Sequence, residues 1–280
     1  VELFPQQRRA LTQGSYRIEN RSGAPLQQVH LRWVRPLKLL QLQVPGSRLE
    51  TEYADLDYRI YRLEPALQPG ESRQIDFSTE LHDVAFRNDS GMRRLVDNGS
   101  FIDSFEVAPL IGMNRALLLQ DRSKRRKQGL EPELRMAKLE DESARRHHYL
   151  RNDSDWVNAQ ITLVTDADQV PLAPGAIVSD STAGGRRTLV TRTEAPIQHF
   201  FSLQSGRYAV KSQDHAGVRL SVYHHPGHEY NVQRMLDAMA ASVDLFGKAF
   251  APYQFKQARI LEFPAYANFA QAFAATIPYS

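Results

Sequence analysis

The chain has 280 residues, 42% hydrophobic and 24% charged, with 35 Lys+Arg against 32 Asp+Glu, a net charge of +3 and no cysteine. Disulfide scaffolds, iron–sulfur clusters, thiolate zinc sites and cysteine nucleophiles are excluded, and so small a net charge gives no argument for a nucleic-acid partner. The length allows one large domain or two ordinary ones, and no apolar run approaches the ~20 residues of a membrane span, so the chain as given is expected to be soluble.

From Gly14 to about Leu110 the pattern is strand and turn. Ser15-Tyr16-Arg17-Ile18-Glu19 alternates in period two and meets a turn cluster at Asn20–Pro25, after which Val29–Val34 alternates again. Tyr58–Leu63 and Ser72–Phe77 repeat the pattern around the turn Pro69-Gly70. Short strands joined by Pro/Gly turns predict an antiparallel β-sandwich or saddle-shaped sheet. Between about residues 114 and 155 the pattern gives way to a charged insertion. Arg122-Ser123-Lys124-Arg125-Arg126-Lys127 is followed by acids at Glu131, Glu133, Glu140, Asp141 and Glu142. Strand patterns resume at Trp156–Val164 and continue through Gly184-Gly185 to Tyr208–Val210. Past Gln213 a strand, Val218–Tyr223, precedes the strongest helix signal in the chain. Asn231 is a candidate N-cap; Val232, Met235, Leu236, Met239, Val243 and Phe246 form one apolar stripe, and Gly247 is expected to close the helix. Arg259–Pro264 reads as a further strand. The whole is mainly β: residues 1–212 form a β-rich domain and residues 213–280 an α/β segment.

Histidine is the first place to look for a metal. His224, His225, His228 and Glu229 cluster in sequence, but Pro226-Gly227 breaks any helix that would align His224 with His228, so a polar strand-to-helix turn is expected. No His-Glu-x-x-His, no Gly-x-Ser-x-Gly and no phosphate-cradling Gly-rich loop occurs. The basic run at 122–127 suits anionic lipid or phosphate. A solvated insert balanced by the acids that follow is the expected reading, and no aromatic side chains interleave with the run for base stacking. Asp103 and Glu106 stand three apart on a segment read as extended, which would turn them to opposite sides and prevent a paired acid/base role. A single carboxylate there still suits an amine.

Five stretches of the C-terminal third resemble the aminopeptidase N family of zinc peptidases: Pro196–Leu203, Arg207-Tyr208, Tyr230-Asn231, Phe250–Phe255 and Ile260–Pro264. Tyr16–Arg21, Tyr58–Tyr61, Leu67–Glu71, Asn98–Phe101 and Arg145–Leu150 are similar to a bacterial subgroup in which this region is fused behind the transmembrane part of an ABC-transporter-type permease. The resemblance implies an N-terminal β-domain followed by the truncated start of a thermolysin-like catalytic domain. It also implies a parent in the bacterial inner membrane, with this part periplasmic.

Position by position, the family's amine-binding Gln and Glu fall on Ser104 and Glu106, so the glutamate matches and the glutamine does not. The exopeptidase loop Gly-x-Met-Glu-Asn falls on Phe269-Ala270-Gln271-Ala272-Phe273, which places Ala272 where the family has glutamate and leaves Gln271 as the polar side chain of the loop. Glu106, Ser104 and Gln271 are thus the substrate-binding candidates that the resemblance implies. The family's zinc motif would follow Ser280, so the resemblance implies no catalytic residue and no cofactor in this chain, and zinc in the parent. It leaves two roles open: the cleft wall of a membrane-associated metallopeptidase, or a non-catalytic module that binds a peptide or a partner protein of a transporter.

Overall fold

The computed structural model describes residues 1–83, 94–113, 118–132, 138, 140–142 and 155–280. Period-two burial along Ser72–His82 places Ile75, Phe77, Thr79 and Leu81 on one face, and this strand pairs with Arg9–Glu19 without a bulge from Arg9↔His82 to Glu19↔Ser72. The two strands lie in a seven-stranded sheet with the order Ala176–Ala183, Arg186–Arg192, Gln160–Asp166, Glu2–Phe4, Arg9–Glu19, Ser72–His82, Lys38–Gln43.

Two smaller sheets cover its inner face. One contains Ser47–Tyr53, Tyr58–Leu67, Leu26–Arg32 and Leu110–Ile111, and packs Val29, Leu31, Leu63 and Leu67 against Ile75. The other contains Val170–Leu172, Ser202–Gly206 and Ser100–Asp103, and packs Ile102 and Leu203 against Phe77, Leu81, Leu163 and Leu189. The architecture is the expected layered, mainly β arrangement.

A separate four-stranded sheet follows: Ala209–His215, Val218–His224, Gln257–Glu262 and Thr276–Tyr279. The last three strands run parallel, a pairing that requires a crossover between Val218–His224 and Gln257–Glu262. The helix Val232–Ala249 supplies it, laying Val232, Leu236 and Met239 on Val218, Leu220 and Val222.

Several expectations are corrected. The helix runs through Gly247 to Ala249, because Gly247 keeps helical geometry and Phe250 takes the cap position. Phe246, assigned to the apolar stripe, is 55% exposed, so the buried stripe stops short of it. Lys38–Gln43 and Ser47–Tyr53 were not anticipated as strands. Both are largely exposed and carry bulges at Leu39/Gln41 and Leu49/Thr51, which erase the period-two signal. Within the charged insertion, Arg122–Lys127 forms a short helix capped by the Asp121 side chain on the Lys124 amide (2.7 Å). His147 and His148 lie outside the described residues, as does Arg145–Leu150.

Candidate functional site

The strand Ser100–Asp103 ends beside the C-terminal sheet, and the approach starts at a glycine. Gly99 has φ +93°, and a Cβ there would stand 2.4 Å from Pro264 Cδ, so only glycine admits the contact. Tyr266 fixes the same point by donating its hydroxyl to the Gly99 carbonyl (3.0 Å). Next in the strand, Phe101 stacks on Phe263 with centroids 5.2 Å apart and meets Phe269 and Phe273 edge-on or tilted. Phe101 and Phe263 are each 1% exposed, which makes this aromatic block the apolar seam between the β-layers and the C-terminal strands.

At Asp103 the strand turns into a single 3-10 turn, Ser104–Glu106. Asp103 Oδ1 accepts the Phe105 amide (3.0 Å), and Glu106 Oε2 reaches back to accept the Asp103 amide (3.0 Å), a closed capping box. This local geometry overturns the expectation that the two acids face opposite sides. An extended segment would separate them, whereas the turn brings both carboxylates to one guanidinium. Arg94 Nη1 donates to Glu106 Oε2 at 3.0 Å and to Asp103 Oδ2 at 3.1 Å. The guanidinium carbon lies 5.5 Å from the Phe101 ring centre and 5.9 Å from that of Phe269, within cation–π range of both. Burial and the neighbouring Asp103 charge push the Glu106 carboxyl up to about 7, against the pull of Arg94.

Of the sequence-derived candidates, Glu106 therefore stands in an acid pair with a cation already on it. Ser104 is 1% exposed, and its hydroxyl accepts the Phe201 amide at 3.5 Å while its own amide donates to the Phe201 carbonyl. Its hydrogen bonds thus tie the turn to the chain at Phe201. Gln271 donates its Nε2 to the Ala272 carbonyl (3.1 Å) in the loop that carries Phe269 and Phe273. The loop is brought to the acids through Phe269, against Arg94, and through Phe273, whose ring centre lies 4.7 Å from that of Phe200. Phe200 stacks in turn on Phe105 at 5.6 Å. The site thus joins Arg94, Asp103, Glu106 and a row of phenylalanines. Sequence reasoning missed Arg94, because it precedes the turn by nine residues and nothing in a linear pattern marks its fold-back. A small crevice lined by Gly175, Thr193, Ile197, Gln257 and Ala275 includes none of these residues.

The histidine turn makes a second polar centre on the same seam. His228 Nδ1 lies 2.5 Å from Glu262 Oε1, and the His225 amide donates to Glu262 Oε2 (2.8 Å). Burial pushes the His225 imidazole below its ordinary pKa, with Glu262 acting in the opposite sense. Tyr208 is buried beside it, and burial raises its phenol strongly. Among the described residues no group of three or more His, Asp or Glu side chains is arranged to hold a metal ion. Glu262 holds this turn together as its hydrogen-bond acceptor.

No protein-family model matches the chain. No curated protein matches it either. Solved structures do. The M1 zinc metallopeptidase of Deinococcus radiodurans, in a mutant bound to a Tyr-Ser-Ala substrate, aligns over 100% of this chain and 58% of its own, with 14% identity and a TM-score of 0.65. The same metallopeptidase without that substrate aligns equally well, over 57% of its length. A two-domain M1 zinc metallopeptidase mutant bound to L-tryptophan gives 13% identity and a TM-score of 0.64. The chain spans a little under three fifths of these neighbours. Its fold resembles that of the N-terminal part of these M1 zinc metallopeptidases.

Proposed function

We propose that this chain is part of a longer, membrane-associated zinc-metallopeptidase-like protein, in which it forms a wall of the peptide-binding cleft and contributes no catalytic residue. One observation carries the reading: the fold similarity extends over the entire chain, and within this fold the Asp103–Glu106 turn and the Phe269–Phe273 loop meet at one seam. On this reading residues 1–212 are the N-terminal domain and residues 213–280 open the catalytic one. Glu106 and Gln271 face the incoming peptide, and Ser104 holds the turn that aims Glu106. The described residues do not assemble a zinc site, so zinc in the parent requires ligands supplied from elsewhere, and no chemical step is assigned to the residues described. Attachment to a transporter permease, and with it an inner-membrane, periplasmic placement, rests on the sequence resemblance. Among the described residues no helix is long and apolar enough to cross a membrane. Peptide or a partner protein is the proposed ligand.

The test is made on the parent protein. Hydrolysis of an amino-acid amide or of an N-acetylated peptide, abolished by a chelator and restored by zinc, supports a peptidase; a parent without a His-Glu-x-x-His downstream refutes it. A non-catalytic peptide-binding module is the second reading, favoured by Ala272 at the position where the resemblance expects the exopeptidase glutamate. It predicts binding of peptide with no turnover under the same conditions.

A further inference from the structure

Two carboxylates in one turn, with two neighbouring phenylalanine rings beside them, are the components of a site for an organic cation. Here that cation belongs to the chain. Arg94 Nη1 bridges Glu106 Oε2 (3.0 Å) and Asp103 Oδ2 (3.1 Å), the position from which a ligand ammonium would pair with both acids. The side chains of Arg94 and Asp103 are each 17% exposed and that of Glu106 24%, so a second cation has little room to reach the same oxygens. A single guanidinium nitrogen serves both acids, and Arg94 Nε is buried without a hydrogen-bond partner among the described residues. A guanidinium placed for its own hydrogen bonding would use its two-pronged edge on one carboxylate. This one instead lies where the acids and the Phe101 and Phe269 rings converge.

The geometry points to Arg94 as a specificity-determining residue: its guanidinium is a built-in occupant of the Asp103–Glu106 site that shuts out the free amino terminus of a peptide ligand. The inference rests on the peptide-cleft reading above and narrows its ligand class. A peptide lying along this wall is held through its backbone and side chains, and a blocked or internal segment enters as readily as one with a free amine. Gln271 is free of this competition, because among the described residues its side-chain amide is tied only to the Ala272 carbonyl of its own loop.

The test measures binding of phenylalanine amide and N-acetylphenylalanine amide across pH 6–8.5, the range in which the ligand ammonium and the Glu106 carboxyl exchange their protons, to the native chain, Arg94→Met and Arg94→Met/Glu106→Gln. Methionine keeps an unbranched apolar stem against the two rings while removing the charge. The expected result is that Arg94→Met binds the free amide at least tenfold more tightly than the native chain does, that acetylation removes the gain, and that Glu106→Gln removes it as well. Native chain that already binds the free amide through Glu106 overturns the proposal; so does a folded Arg94→Met that does not distinguish the two amides. Should Arg94→Met fail to fold, the carboxyl carbon resonance of Glu106 in the native chain decides. No shift on adding millimolar phenylalanine amide supports the built-in occupant, and a saturable shift refutes it. The cleft reading is probed separately with a longer N-acetylated peptide on the native chain, so failure there does not bear on Arg94.

Discussion

Glu106→Gln tests the electrostatics of the acid pair directly, and the sign of its effect follows from burial. In the folded chain the Glu106 carboxyl is pushed up to about 7 from an ordinary 4.5, first by burial and then by Asp103, with Arg94 pulling the other way. Between those two pH values the unfolded chain has lost the proton and the folded chain retains it, so this group makes stability fall as pH rises. Its favourable contribution is complete below about pH 4.5 and gone above about pH 7. Each pH unit in the window is worth about 1.4 kcal/mol, which gives an upper bound of about 3.5 kcal/mol. The Glu106 side chain is 24% exposed, and solvent screening reduces the expectation to about 2 kcal/mol. Glutamine resembles the protonated acid: its carbonyl accepts from the Asp103 amide and from Arg94, and it has no proton to lose. The variant should match the native chain near pH 4.5 and exceed it by about 2 kcal/mol at pH 8. His225 works in the opposite direction, since burial lowers its pKa and favours the fold as pH rises, but it is common to both chains and cancels in the difference. Urea denaturation midpoints from pH 4.5 to 8.5 measure the effect. A folded Glu106→Gln that is less stable than the native chain at pH 8 would refute the reasoning, because the Arg94 attraction would then outweigh burial and the Asp103 charge together.

Three structural predictions concern the seam that carries the site. Phe101→Ala removes a ring that is 1% exposed and stacked on Phe263, and should cost about 3–5 kcal/mol in denaturant unfolding; a loss below about 1 kcal/mol would show that the seam is not packed as described. Gly99→Ala combines φ +93° with a Cβ 2.4 Å from Pro264 Cδ, and should cost about 2–4 kcal/mol, whereas Gly217→Ala has the same backbone strain but nothing within 4 Å and should cost about 1 kcal/mol. Arg259 is 4% exposed and donates to the Ala173 carbonyl (2.8 Å) and the Thr276 hydroxyl (3.0 Å). Arg259→Met should therefore cost about 2–3 kcal/mol from the two acceptors left unpaired, less the relief of a buried cation, and unchanged midpoints would show that those acceptors find other partners.

The mainly β character, the strands from Arg9–Glu19 to Gln257–Glu262 and the one long helix were legible because each rests on a local period. Ile75, Phe77 and Leu81 alternate on the face that the sheet buries, and Val232, Leu236 and Met239 return to one face at helical spacing. The strands Lys38–Gln43 and Ser47–Tyr53 were not legible, since they stand in exposed, bulged positions where pairing with a neighbour, not burial, decides the backbone. Glu106 was singled out by its resemblance to a family pattern, and its pairing with Arg94 was not foreseen. Asp103 and Glu106 were read as diverging because an extended chain was assumed, and one capping turn reverses that.

The sequence by itself determined the layered β framework, the crossover helix, the lack of any thiol chemistry and the order of segments that matches a peptidase-like fold. These depend on side-chain periodicity, turn residues and composition, which act over a few neighbours. Tertiary structure alone decided what stands on the acids. Arg94 reaches Asp103 and Glu106, and Phe269 closes over it from a loop more than 160 residues further along the chain. Contacts between residues so far apart are selected by the packing of whole layers, and no short-range pattern encodes them. The net charge of +3 gave no hint that one of its arginines pairs with both Asp103 and Glu106.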